Sequence, residues 1–334
     1  TRLFQKLEGD PFLGVSGHDA AVRHLVEQVR AGRLAHAYLL FGEPGIGKTT
    51  LARAFSRALL PELELDRHPD YWEDDSDQRL LMDEVRLIPE KPPLRHQHSL
   101  QQFLNWRPTL ARRRVALISG IDRGDQFLQN TLLKTLEEPH PGQVIVLTSP
   151  SLSPFAILPT LVSRCQKLAL HPLRTADIES LMRRRGAEPE RARQLSQMAA
   201  GRPGWALRAL RSPDLVDEHE RWAGRLQEVM GAPADRALRL AAELDAASRN
   251  WRTKRRPAAD PEDIAADPSE DPVLIALRSF QLRLRQRMDQ APGDQMLGLA
   301  RLLEASYATL GHLEQNVSAR LALEVFLLRC RLVS

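Results

Sequence analysis

The segment Gly42-Glu-Pro-Gly-Ile-Gly-Lys-Thr49 constrains the fold of this chain more than any other stretch. It matches the Gly-x-x-x-x-Gly-Lys-Thr phosphate-loop pattern in full. The apolar run Ala37-Tyr-Leu-Leu-Phe41 before it reads as a buried strand, and Thr50 to Leu60 after it reads as a helix. Gly42, Gly45 and Gly47 allow backbone N–H groups to curl round phosphate oxygens. The helix N-terminus, which Thr50 enters, adds a field that favours an anion. Lys48 brings a point charge to the outer phosphates, and the Thr49 hydroxyl can ligate magnesium. The loop therefore fits ATP or ADP with Mg²⁺, and its strand–loop–helix setting calls for a parallel sheet.

The flanking sequence supplies that sheet. Ala21, Leu25, Val26 and Val29 recur at helical spacing over 18–32. Val115-Ala-Leu-Ile118 and Val144-Ile-Val-Leu147 read as further buried strands, with a helix over Gln126 to Glu138 between them, stopped by Pro139. Strands that alternate with helices predict an α/β layer with helices on both faces. Past residue 171 the strand signals stop, and His171-Pro172 reads as a break. Short helices are expected over 174–210, interrupted at Gly201-Arg-Pro-Gly204, and longer ones over 273–288, 293–310 and 315–332. The stretch Lys254 to Pro272 holds four prolines and reads as a loop. The fold class expected is α/β followed by all-α, divided at 1–171, 172–212 and 213–334.

Composition removes several classes of function. No run of 18 apolar residues is present, so no membrane span is expected, and Thr1 to Asp10 lacks the apolar core of a leader. Cys165 and Cys330 are too few for a zinc site or a disulfide framework, which suits a reducing, cytoplasmic setting. The 47 basic and 43 acidic residues leave a net charge of +4, which permits nucleic-acid contact without requiring it. Arg112-Arg-Arg114 precedes a strand and Arg183-Arg-Arg185 ends a helix, where cations are favoured anyway; a solvated surface explains either cluster better than contact with DNA does. Glu73-Asp-Asp-Ser-Asp77 reads as a solvated acidic loop.

The hydrolytic side of the loop is incomplete. A phosphate-loop ATPase uses an acid at the end of a neighbouring strand to hold magnesium and orient water. After Val115–Ile118 comes Ser119-Gly120, and Asp122 arrives two or three residues late. Either hydrolysis is lost, or the strand register differs and Asp122 serves.

Longer motifs resemble the bacterial clamp-loader family of AAA+ proteins. Arg33-Leu-Ala-His36 leading into the loop is similar to that family's entry segment, as is His68-Pro-Asp-Tyr71 before Asp83-Glu-Val-Arg86. Asn130-Thr-Leu-Leu-Lys-Thr-Leu-Glu-Glu-Pro139 resembles its signature helix, and Ser163-Arg164-Cys165 its Ser-Arg-Cys motif. The resemblance covers most of residues 15–172. It implies a RecA-like AAA+ phosphate-loop domain, a small helical lid and a C-terminal helical collar. It also implies a heteropentamer with motor (gamma or tau) and delta subunits, acting through that complex on a sliding clamp and primer–template DNA.

Within the family, the departures point to the delta-prime type. Motor subunits carry four zinc-binding cysteines ahead of the His-Pro-Asp segment, whereas Leu60 to His68 has none, so no zinc is expected. Their lid places a phosphate-sensing arginine where this chain has Gly204 in Gly201-Arg-Pro-Gly204. Asn316-Val-Ser-Ala-Arg320 is similar to the last collar helix of delta-prime chains. By the same resemblance Arg164 is an arginine finger acting in trans on a neighbour's ATP, Thr148 is the polar sensor beside the loop, and own hydrolysis is weak or absent. Lys48 and Thr49 keep an active motor open as an alternative, with an unrelated phosphate-loop kinase a more distant one.

Overall fold

The three most apolar segments become the centre of a parallel sheet. The computed structural model describes residues 10–12, 14–76, 78–88, 91–254, 271–314 and 318–331. In chain order the first elements are α1 (Asp19–Ala31), β1 (Ala37–Phe41), α2 (Lys48–Leu59), β2 (Tyr71–Asp74), α3 (Met82–Val85) and α4 (Leu100–Asn105). There follow β3 (Arg114–Ile118), α5 (Gln126–Glu137), β4 (Gln143–Ser149), α6 (Pro159–Arg164) and β5 (Gln166–Ala169). Helices alone come next: α7 (Thr175–Arg184), α8 (Pro189–Met198), α9 (Pro203–Arg211), α10 (Asp214–Gln227) and α11 (Ala234–Lys254). The last are α12 (Pro272–Met288), α13 (Gly293–Glu314) and α14 (Ala319–Cys330). The architecture is α/β followed by all-α, as the sequence implies.

The five strands run in the order β2-β3-β4-β1-β5, all parallel. Side chains alternate across the sheet with period two. Tyr38, Leu40, Val115, Leu117, Val144 and Val146 enter one core with Leu25, Leu51 and Phe55 of α1 and α2. Ala37, Leu39, Ala116, Ile118, Ile145 and Leu147 enter the other with Phe103, Leu128, Leu132 and Leu161. Burial on both faces is why these strands show no polar alternation.

The chain divides into two compact units, Thr1–Trp205 and Ala206–Ser334. Of the stretch expected as a lid, α7, α8 and the start of α9 fall in the first. The second has its own core, in which Trp222, Leu240, Leu244, Ile275, Phe280, Leu302, Phe326 and Leu327 pack together. Its helices are capped as the sequence allows: Asp271 accepts from the Val273 N–H of α12 at 3.0 Å, and Ser318 accepts from the Leu321 N–H of α14. Residues 255–270, most of the expected proline-rich loop, lie outside the described residues, as do Asn316 and Val317. Among the described residues no helix is long and apolar enough to cross a membrane.

Three segments differ from the sequence reading. β5 and β2 were not legible: β5 is a four-residue edge strand, and β2 reads Tyr-Trp-Glu-Asp, with too few apolar residues to signal a strand. The acidic run does not begin as a solvated loop, because Glu73 and Asp74 lie in β2 and Asp74 is only 2% exposed, while Asp75 is exposed and Asp77 lies outside the described residues. Its carboxylate meets Arg123 at 2.7 Å and Arg95 at 3.2 Å, partners too distant along the chain for local pattern to reveal. Arg112–Arg114 is not one basic surface either. Arg114 opens β3, is buried, donates to the Arg107 carbonyl at 2.9 Å and pairs with Asp70 at 3.5 Å.

Candidate nucleotide-binding site

The loop begins where β1 ends, at the carboxyl edge of the sheet, where open α/β sheets place their ligands. Its glycines are conformationally required. Gly42 has φ +149°, and a Cβ there would lie 2.4 Å from the Leu170 carbonyl oxygen. Gly47 has φ +107° and caps α2, with its carbonyl accepting from the Leu51 N–H at 3.0 Å. Gly45 has φ +79°. Between them Ile46 is fully buried and anchors the loop in the core. Lys48 opens α2 and donates from Nζ to the carbonyls of Gly42 at 2.6 Å and Glu43 at 2.9 Å, so its ammonium sits over the loop. Thr50 is exposed in the first turn of α2.

The backbone cradle and Lys48 fit a polyphosphate. The magnesium side is built differently. The Thr49 hydroxyl lies 3.2 Å from the Ser119 hydroxyl, so Ser119 occupies the strand end that faces the metal ligand. The register of β3 is therefore the one expected, and no acid stands at its end. The neighbouring acid Asp74 is committed to Arg123 and Arg95. Asp122 follows in a 3₁₀ turn over Ile121–Arg123 and has an exposed surface. Desolvation raises its carboxyl above the ordinary aspartate range, while its own backbone N–H and the charges of Lys48 and Arg123 pull the other way. Thr148 reaches the same edge, and its hydroxyl accepts from the Gly120 N–H at 2.8 Å, tying the ends of β3 and β4 together.

Two supports of the loop were not foreseen. His18, just ahead of α1, places Nε2 2.9 Å from the Ile46 carbonyl. A carbonyl only accepts, so Nε2 carries the proton. Burial, with His171 adding to it, holds the imidazole below its ordinary value despite that bond. The second is Gly204, whose N–H donates to the Gly45 carbonyl at 2.8 Å. A Cβ on Gly204 would approach that oxygen to 2.9 Å and the Gly45 Cα to 3.2 Å. Arg202 and Trp205, on either side, are buried. A lone histidine carries no sequence signal for such a contact, but the glycine at the sensor position did.

Arg164 lies elsewhere. It ends α6 immediately before β5, and Gln166 of β5 is level with Tyr38 while Ala169 is level with Phe41. The three residue steps between them span about 10 Å, at roughly 3.3 Å each. Arg164 therefore stands at the amino edge of the sheet, and the chain's own loop at the carboxyl edge. Its side chain is one-third exposed and is ion-paired with Glu137, the last residue of α5. Ser163 bonds back to the Thr160 carbonyl at 2.9 Å, and Cys165 is buried, its thiol pushed up to about 12 by desolvation; neither is a reactive group.

Residues 17–174 match the model of the family described as DNA polymerase III, delta subunit. This region is similar to the clamp-loader-type subunits of DNA polymerase III. A delta' subunit from Pseudomonas aeruginosa is 31% identical over 195 residues, covering 52% of this chain and 55% of that one. A delta' subunit from Bacillus subtilis is 27% identical over 189 residues, covering 52% and 54%. The Escherichia coli tau subunit is 29% identical over 197 residues, covering 54% of this chain and 28% of tau. The chain thus spans about half the length of the curated delta' relatives it matches. A solved gamma subunit-related protein from Thermotoga maritima covers 92% of the chain at 17% identity with a TM-score of 0.47. The matched segment contains every residue expected at the loop, and it also includes Arg164.

Proposed function

We propose that this chain is a delta-prime-type subunit of a bacterial sliding-clamp loader. In this reading it helps place the processivity clamp on primed DNA within a cytoplasmic heteropentamer of motor and delta subunits. Arg164 completes a neighbour's ATP site, and the chain's own loop holds nucleotide with little or no turnover. What carries the reading is the separation between Arg164 and the chain's own loop, at opposite edges of one sheet. A guanidinium so placed cannot serve the home phosphates. It is one-third exposed, where another chain can meet it.

The chemistry asked of Arg164 is stabilisation of charge on phosphoryl oxygens as a neighbour cleaves ATP. Permanent charge and a planar fork of donors suit arginine to it. In the home pocket Gly42, Gly45, Gly47, Lys48, Thr49 and Thr50 would hold the phosphates and Thr49 the magnesium ion, which supplies charge neutralisation when bound. Ser119 at the strand end has no basicity with which to activate water, which supports a static role.

A second reading, an active motor subunit, draws on the complete loop and on Asp122, which lies within electrostatic reach of Lys48. Steady-state ATPase measurements on the chain alone, on motor subunits alone and on the mixture separate the two. The expected result is no turnover alone and a rise in the mixture. Arg164→Ala removes that rise, by about 10³-fold or more at the dependent site, and Lys48→Ala leaves it. A rise that survives Arg164→Ala overturns the proposal; turnover by the chain alone favours the motor.

A further inference from the structure

Glu137 sits where helix physics disfavours an acid. The last turn of a helix presents unpaired carbonyls and a partial negative charge, so a cation belongs there. α5 nevertheless ends in Glu137, with Glu138 as its C-cap. The carboxylate is answered from outside the helix by Nη2 of Arg164. Nη1 of the same guanidinium donates to the Thr160 carbonyl, one turn back in α6, at 2.8 Å. Two acceptors from two helices thus each hold one of the two terminal nitrogens of the guanidinium. Arginine has five N–H donors, so further donors remain for another ligand.

The elements that carry this grip are themselves fixed. Gln129 of α5 is buried; its Nε2 donates to the Ala156 carbonyl at 3.1 Å, and its Oε1 accepts from the Leu158 N–H at 2.8 Å. Leu158 is the N-cap of α6, and Leu161 is buried between the helices and the sheet. α5 and α6 are therefore held together at the end of α5 away from Glu137, and the ion pair closes the other end.

We infer that Glu137 is a positioning residue for Arg164: with the Thr160 carbonyl it fixes the direction of the guanidinium before a neighbouring subunit arrives. The inference rests on the reading of Arg164 as a finger in trans. An arginine on a short helix otherwise samples many rotamers, and ordering it in advance removes that loss from the reacting complex. The carboxylate touches neither nucleotide nor reacting atoms and acts only through Arg164.

The test uses the full chain mixed with motor subunits. Glu137→Gln is expected to lower the kcat of the chain-dependent turnover about three- to five-fold, the scale of one exposed ion pair, with KM for ATP unchanged. Glu137→Asp recovers part of the loss, and Glu137→Gln placed on Arg164→Ala adds nothing. The melting temperature of the chain stays the same, which separates positioning from folding. A kcat that is unchanged or raised by Glu137→Gln, while Arg164→Ala is damaging, overturns this inference alone. Turnover unaffected by Arg164→Ala overturns the finger reading and the inference with it.

Discussion

At the carboxyl edge of the sheet the chain presents backbone: Gly42, Gly45 and Gly47 at positive φ, carbonyls gathered round Lys48, and Gly204 closing over Gly45. At the amino edge it presents side chains, Arg164 and Glu137, both partly in water. The first edge is determined by close approach, where one added methyl group meets a carbonyl. The second is determined by an ion pair on a rigid base, where most substitutions leave the fold intact. In the proposed function, binding of a polyphosphate and donation of a charge would sit at separable places on one sheet, and damage to one need not reach the other.

The largest expected effect breaks the carboxyl edge. Gly42→Ala forces a Cβ to 2.4 Å from the Leu170 carbonyl at a φ of +149°. It is expected to cost about 3 kcal/mol or more and to abolish nucleotide binding. Thermal melting and an ADP titration check this, and an unchanged melting temperature would show that the loop tolerates a side chain.

The next tests the buried base of the amino edge. Asp70, just before β2, is fully buried and accepts from the N–H groups of Thr109, Leu110 and Ala111 at 2.7, 2.7 and 2.8 Å. Burial pushes its carboxyl up. The Ala111, Thr109 and Leu110 N–H groups and the Arg114 guanidinium outweigh that and hold it below the ordinary aspartate range. Asp70→Ala is expected to cost about 3 kcal/mol, since donors lose their acceptor. A depressed folded value means the contribution is complete above the unfolded pKa of about 3.9 and is lost as pH falls through the folded one. Chemical denaturation as a function of pH should therefore show a loss of stability below about pH 4 that is smaller in Asp70→Ala.

The smallest sharpens the contrast within the carboxyl edge. Gly204→Ala is expected to cost about 1–2 kcal/mol, because the Gly45 backbone must shift to admit the methyl group. Nucleotide affinity should fall while Arg164-dependent turnover in the mixture stays at the wild-type level. A fall in that turnover would mean that the two edges are coupled.

Much of the first edge could be read in advance because its requirements are local. Glycine spacing, a lysine and a threonine between a strand and a helix leave little choice, and the missing acid at Ser119 needed only the correct strand end. His18 could not be read, since its contact with Ile46 spans 28 residues and has no repeating pattern. Asp74 looked solvated because charge in a short run is ordinarily exposed; only the sheet order brings Arg123 and Arg95 to it. The pairing of Glu137 with Arg164 was hidden for the same reason, although both motifs had been noticed separately.

The sequence alone determined the phosphate loop, the three apolar strands and the change to all-helical structure, since each follows from spacing and residue type within a short window. Tertiary structure alone decided which edge of the sheet each motif occupies, which charges are buried, and what holds Arg164. Those outcomes depend on strand order and on contacts between residues far apart in the chain, and a one-dimensional pattern carries no distance between such residues.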